Sequence, residues 1–239
     1  MKQIFVKIIG VWQQKINPKL IPLLSIFWLI GFLISALALW GFLELADEVL
    51  EKETAILDLA VLKILISSRN SLLNNLAIGI TYLGSPMVLS FFSLAIAIFL
   101  WWRQKQLQAT FLAIVTSGGI SLNYLLKNFF SRARPTLENN LVTVDFYSFP
   151  SGHAMTSLII YGFLCYLLIS NYRKYSLLLI SFTSILIILI GLTRLYLGVH
   201  WLTDVIGGYV AGTVWLFLCI SSLEAAKTYR LNKTYIEPK

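Results

Sequence analysis

Charge is what this sequence has least of. Only 13% of its 239 residues are Asp, Glu, Lys or Arg, where a soluble domain carries about 25%. Hydrophobic residues make up 58% of the chain and the mean hydropathy is +0.78, which excludes a disordered chain, a collagen-like repeat or a coiled coil. Cysteine is scarce too. Cys165 and Cys219 lie inside long apolar runs with no Cys-x-x-Cys pair, so neither a disulfide framework nor a zinc site is expected and both read as buried, inert thiols. The sequence has only two histidines, no internal repeat and no low-complexity segment. A chain this poor in charge has lipid as its main solvent, which makes it an integral membrane protein.

Six windows contain no charged residue at all: Leu20–Leu43, Asn70–Trp102, Gln106–Leu126, Phe146–Tyr172, Tyr175–Thr193 and Val205–Leu223. Each supplies the roughly 20 apolar residues that cross about 30 Å of hydrocarbon. The second is too long for one span. Gly84-Ser85-Pro86 interrupts it, and proline is best placed in the first turn of a helix. The expected fold is therefore all-α, a single domain over 1–239 with spans at about 20–43, 86–102, 106–126, 153–172, 175–193 and 202–223. The segment 44–85 mixes charge with Val49, Ile56, Leu59, Leu62 and Leu65, a pattern that suggests short amphipathic helices at the membrane surface.

Basic residues give the orientation. The two ends of the chain (Lys2, Lys7, Lys15, Lys19; Lys227, Arg230, Lys233, Lys239) and two connections (Arg103, Lys105; Arg173, Lys174) hold twelve of the 19 basic residues and only two acids, Glu224 and Glu237. These parts are expected in the cytoplasm. The net charge of +8 thus reports topology, and no nucleic-acid partner is expected. Ala36-Leu37-Ala38 resembles a signal cleavage site, but it lies within a 24-residue run, longer than the roughly 7–15 residues of a signal core. A retained helix is expected. Trp101, Trp102 and Trp201 fit interfacial belts, while Gly118-Gly119 and Gly208-x-x-x-Gly212 suit close helix contact.

Three stretches on the opposite, extracytoplasmic side carry concentrated polar chemistry: Lys127 to Arg134-Pro135, Phe149-Pro150-Ser151-Gly152-His153, and Thr193-Arg194 to His200 and Asp204. Ionisable residues near hydrocarbon are costly and usually mark function. Lys127 and Arg134 taken singly read as snorkelling anchors no less than as site residues, and Arg132 reads as a loop charge or lipid head-group contact. His200 and Asp204, at i and i+4, share a helix face. Anchoring does not explain why both histidines converge with Lys127, Arg134 and Arg194. Phosphoryl chemistry does. Cations bind phosphate oxygens, Ser151 and Gly152 open a helix whose free N–H groups suit an anion, His200 oriented by Asp204 is a nucleophile, and His153 is an acid for the departing oxygen.

At these residues the sequence resembles the type 2 phosphatidic acid phosphatase superfamily. Its signature of Lys-x6-Arg-Pro, Pro-Ser-Gly-His and Ser-Arg-x5-His-x3-Asp stands here as Lys127…Arg134-Pro135, Pro150-Ser151-Gly152-His153 and Thr193-Arg194…His200…Asp204. Thr193 replaces the signature serine. The resemblance implies a metal-independent and cofactor-free reaction through a phosphohistidine on His200, supported by Asp204, with His153 protonating the leaving group and then activating water. Lys127, Arg134, Arg194, Ser151 and Gly152 would hold the phosphoryl oxygens. The implied partner is a lipid phosphate from the bilayer: phosphatidylglycerophosphate, phosphatidate or a prenyl pyrophosphate such as the undecaprenyl carrier, in a prokaryotic plasma membrane. The segment 44–85 is placed to cover the site and help select among them. A lipid phosphotransferase sharing the intermediate, or a non-enzymatic anion-binding or transport protein, are the competing expectations.

Overall fold

A computed structural model describes the backbone of residues 20–136, 141, 142, 144 and 146–236, and the side chains of 29–230 within that set. The expectations for the N-terminal lysines and for Lys233, Glu237 and Lys239 lie outside the described side chains. All regular structure among the described residues is helical: α1 (Leu20–Glu51), α2 (Ala55–Ser67), α3 (Ser71–Leu83), α4 (Pro86–Trp102), α5 (Gln106–Phe130), α6 (Gly152–Asn171), a short 3-10 turn (Arg173–Tyr175), α7 (Ser176–Tyr196) and α8 (Leu202–Ile236). The chain divides into two compact units, 1–37 and 38–239. The described part of the first is the opening of α1, and the second holds everything discussed below.

Among the described residues, five helices are long and apolar enough to cross a membrane, and α3 with α4, bent by 45° between them, makes a sixth when taken as one span. The bend has a local cause. Pro86 occupies the first turn of α4 behind Ser85 in an extended conformation, which suits a helix start and cannot continue the helix before it. Several helices outrun their charge-free windows. Helix α1 passes through Glu44, Asp47 and Glu48 to Glu51, and α8 runs on to Ile236. Glu and Lys are good helix formers, so the end of an apolar window marks the edge of the lipid and not the end of the helix.

Lipid supplies no hydrophobic drive between helices, so close packing must do the work. The principal seam runs between α6 and α8. A Cβ on Gly208 would lie 2.7 Å from the Ser151 carbonyl oxygen, and one on Gly212 would lie 3.2 Å from that of Met155. Only glycine lets α8 approach the α6 backbone this closely. Gly118 likewise admits the Trp215 ring at 2.3 Å from its would-be Cβ, and the indole donates to the Val115 carbonyl at 3.1 Å. Leu112, Val115, Met155, Ile159, Ile160 and Phe163 fill the interior, as do both cysteines. The outside of the bundle is apolar, with Phe91, Leu177 and Phe182 exposed, the inverse of a soluble domain.

The segment after α1 is built as two short helices whose polar residues turn inward. Asn70 caps α3 by accepting the Leu73 N–H at 2.9 Å, as an N-cap asparagine should. Arg69 grips the last carbonyl of α7, that of Tyr196, through Nε at 3.1 Å and Nη2 at 3.0 Å. The Tyr196 hydroxyl accepts from the Asn70 N–H and donates to Asn74 Oδ1. The α2–α3 turn is thereby fastened to the end of α7, a helix terminus whose carbonyls need partners.

Candidate active site

The polar residues sit where helices start and stop. Ser131, in the left-handed region with φ of 46°, closes α5 just beyond Lys127 and turns the chain toward Arg132 and Arg134. Gly198, with φ of 73°, provides the corresponding turn after α7, a conformation that suits glycine. It delivers His200 to the foot of α8. Phe149, fully buried, stacks on Phe42 at 5.8 Å and meets Phe130 edge-on at 4.9 Å. This aromatic anchor and the cis Phe149–Pro150 bond precede Ser151, whose N–H donates to the Asp204 carbonyl at 2.8 Å.

His200 is 2% exposed and Asp204 is wholly buried. The His200 Nδ1 stands 3.1 Å from Asp204 Oδ2, and the other ring nitrogen, Nε2, stands 3.2 Å from Arg134 Nη1. A guanidinium can only donate. Nε2 must therefore carry the lone pair, and Nδ1 must carry the proton given to Asp204. Burial first, and then the positive charges of Arg194, Arg134 and Lys127, hold the imidazole well below its ordinary pKa, so the ring is neutral near pH 7. Asp204 also accepts from the Trp201 N–H at 2.9 Å and lies 3.4 Å from the Ser148 hydroxyl.

The cations surround this pair. Lys127 donates to the carbonyls of Tyr147 and Ser148, and Arg134 to those of Phe146, Tyr147 and Val199. Arg194 donates from Nη1 to Thr81 Oγ1 at 2.8 Å. Its Nε and the Ser151 hydroxyl are buried without a hydrogen-bond partner, which is rare for such groups. A Cβ on Gly152 would lie 3.0 Å from Asn123 Oδ1 and 3.8 Å from Lys127 Cε, so glycine keeps that approach open. His153, half-buried at the start of α6, is within electrostatic reach of Arg194, His200, Lys127 and Arg134. All eight residues singled out from the sequence gather in one region. A cavity of about 460 Å³ lined by Asn128, Arg132, Ala133, Arg134, Phe146 and Tyr147 opens beside it.

One sequence expectation changes. Arg132 is no loop charge: Nη1 donates to Asp204 Oδ1 at 2.6 Å and Nη2 to Asp58 Oδ2 at 2.7 Å. Trp201 is half-buried, with its indole N–H on the Ala133 carbonyl at 3.0 Å and its ring beneath Arg132. It braces the site. Thr193 donates its hydroxyl to the Ile190 carbonyl of its own helix at 2.6 Å. Asp58, Thr81, Asn123 and Ser148 were missed. Asp58 alone left a signal, as the one acid in the apolar helix AILDLAVLKILIS.

Comparison with known proteins gives the family. Residues 106–227 match the PAP2 superfamily. The chain is 30% identical over 192 residues to phosphatidylglycerophosphatase B of Bacillus subtilis strain 168, covering 79% of this chain and 94% of that protein. It is also 30% identical over 129 residues to the putative undecaprenyl-diphosphatase YbjG of Escherichia coli K12, covering 51% of this chain and 60% of that one. The crystal structure of a transmembrane PAP2-type phosphatidylglycerolphosphate phosphatase from Bacillus subtilis superposes with a TM-score of 0.76 at 29% identity, over 80% of this chain and 96% of that one. Aquifex aeolicus LpxE gives a TM-score of 0.57 at 27% identity, over 69% and 95%. This chain is an all-helical integral membrane protein, and it belongs to the PAP2 superfamily.

Proposed function

We infer that the protein is a metal-independent phosphatase of a membrane lipid phosphate or pyrophosphate. The observation that carries this reading is the placement of His200: a buried imidazole whose Nε2 stands 3.2 Å from Arg134 Nη1 inside a ring of cations and whose Nδ1 stands 3.1 Å from Asp204 Oδ2. Nε2 attacks phosphorus and the P–O bond to the leaving group breaks. His153 gives that oxygen a proton. Asp204 supports the positive charge of the phosphorylated ring through Nδ1–H. Water then attacks the N–P bond while His153 takes its proton, releasing phosphate and restoring neutral His200. Arg194 Nε and the Ser151 hydroxyl are the ready donors for phosphoryl oxygens, and Arg134 moves from Nε2 onto them. With Lys127 and the N–H groups at Gly152 they perform the charge stabilisation on which phosphoryl transfer chiefly depends.

The chain forms one domain of six spans, with the bent pair α3 and α4 as the second and α2 at the interface, its apolar residues Ile56 and Ile64 exposed. Both ends of the chain are cytoplasmic and the site faces the extracytoplasmic side of a prokaryotic plasma membrane, which the distribution of basic residues supports. The names of the relatives point to phosphatidylglycerophosphate or undecaprenyl pyrophosphate as substrate. Phosphate release by detergent-purified protein from these lipids and phosphatidate, with EDTA present, tests the reading. Release by the wild type that is absent in His200→Ala is expected. Inhibition by EDTA that a divalent ion reverses, or no release from any of the three by folded protein, would overturn it.

A further inference from the structure

The carboxylate that orients His200 is itself held by a chain of charge reaching the segment between the first two spans. Arg132 bridges two buried acids: Nη1 donates to Asp204 Oδ1 at 2.6 Å and Nη2 to Asp58 Oδ2 at 2.7 Å. Asp58 is 1% exposed, so its charge is affordable only because it is paired and hydrogen-bonded. Its Oδ1 accepts the Thr203 N–H at 3.0 Å and its Oδ2 the Thr203 hydroxyl at 2.8 Å. That N–H belongs to the first turn of α8, where the unpaired donors favour an anion. The Thr203 hydroxyl in turn accepts from Arg132 Nη1 at 2.8 Å. The chain ends on Asp204, whose Oδ1 meets Arg132 and whose Oδ2 faces His200.

We propose that Asp58 is a positioning residue of the reaction: by neutralising and orienting Arg132, it keeps Asp204 aligned on His200 Nδ1. This rests on the phosphohistidine reading above. Two negative charges share one guanidinium, so Arg132 is not free to draw Asp204 off the imidazole. Without the Asp58 charge, Arg132 has Asp204 as its sole carboxylate partner. The carboxylate then serves the guanidinium at the expense of the ring, and the nucleophile loses both its orientation and the support for its developing charge. The short helix α2 thereby acts on the chemistry itself, without touching the substrate.

Asp58→Asn separates positioning from structure. Its side-chain carbonyl can still accept the Thr203 N–H and cap α8, while the charge facing Arg132 is lost. The kcat for phosphate release should fall roughly 10–100-fold, the usual cost of removing a partner that orients a reacting group, with KM and inhibition by inorganic phosphate within twofold of wild type. Arg132→Gln should lower kcat at least as far, and Asp58→Asn added to it should cost nothing more, because both break one chain. Wild type and His200→Ala are assayed alongside. No release by the wild type overturns the phosphatase reading itself. A wild type that turns over beside a folded Asp58→Asn with kcat unchanged, with KM raised alone, or with losses additive to those of Arg132→Gln overturns only the positioning role. Should Asp58→Asn fail to fold, Arg132→Gln decides in its place: lower kcat at unchanged KM supports the chain, and unchanged kcat ends it.

Discussion

Helices α6 and α8 carry a polar cluster at each end, and the two are built differently. At the start of these helices lie Ser151, His200 and Asp204, each 2% exposed or less, with partners drawn from α2, α5 and the loop after α5. Some 20 residues further along α8, about 30 Å at the helical rise, Glu224 pairs with Lys227 at 2.7 Å and accepts a hydrogen bond from the Tyr166 hydroxyl. That pair is local, i to i+3, and about a third exposed. Water screens and competes for it, so it is worth about 0–1 kcal/mol. The first cluster is buried, and its charges are paired with residues far away in sequence. Charge of similar amount is a working site in one place and a surface clasp in the other, and the difference lies in burial and in the reach of the partners.

The sharpest way to separate the two ends is Asp204→Asn, which keeps the shape of the side chain but cannot hold the Nδ1 proton in the same way. A loss of about 10²–10⁴ in kcat is expected, by analogy with other carboxylates that orient a catalytic histidine. Steady-state kinetics on folded protein would detect it, and a loss below threefold would return Asp204 to a structural role.

The seam that joins the clusters comes next. Gly208→Ala places a methyl 2.7 Å from the Ser151 carbonyl oxygen, a backbone atom that cannot swing aside. About 1–3 kcal/mol of destabilisation is expected from such overpacking, with activity falling as Ser151 shifts. Thermal unfolding in detergent reads the first effect, and an unchanged melting temperature would show that the seam is looser than its geometry.

A smaller effect depends on pH. The folded pKa of His200 is held below the ordinary imidazole value of about 6.5, chiefly by burial. The unfolded chain therefore binds the proton more readily, and stability is lost as pH falls below that value. The melting temperature should fall between pH 7.5 and 5.5, and fall less in His200→Gln, which takes up no proton. Parallel curves for the two proteins would mean that the decline has another source. Least of all, Glu224→Gln should leave kcat unchanged and cost under about 1 kcal/mol. A large loss of turnover there would erase the contrast between the ends.

Much of this was legible in the sequence, and the limits have physical reasons. The charge-free runs gave the long helices because hydrocarbon tolerates little else, but not their ends, since α1 and α8 continue through charged residues that favour helix. Lys127, Arg134, His153, Arg194, His200 and Asp204 were found because each occupies a fixed place in a short motif. Gly208 and Gly212 were recognised as packing glycines, and the structure shows the backbone they approach. Arg132 was misjudged because its partners lie 74 and 72 residues away, and a loop arginine looks the same whether it faces water or a buried acid. Asp58 stood out only as an isolated charge in apolar surroundings. Its relation to Thr203, 145 residues on, is a fact of the fold and not of any spacing.

The most direct measurement is a rapid-quench single turnover with a lipid substrate carrying labelled phosphate, followed by peptide mapping in alkali, where phosphohistidine survives. A phosphohistidine mechanism predicts transient label on His200 that decays as phosphate appears, and no label or release in folded His200→Ala. Release at the wild-type rate by His200→Ala, or label on any other residue, would contradict it.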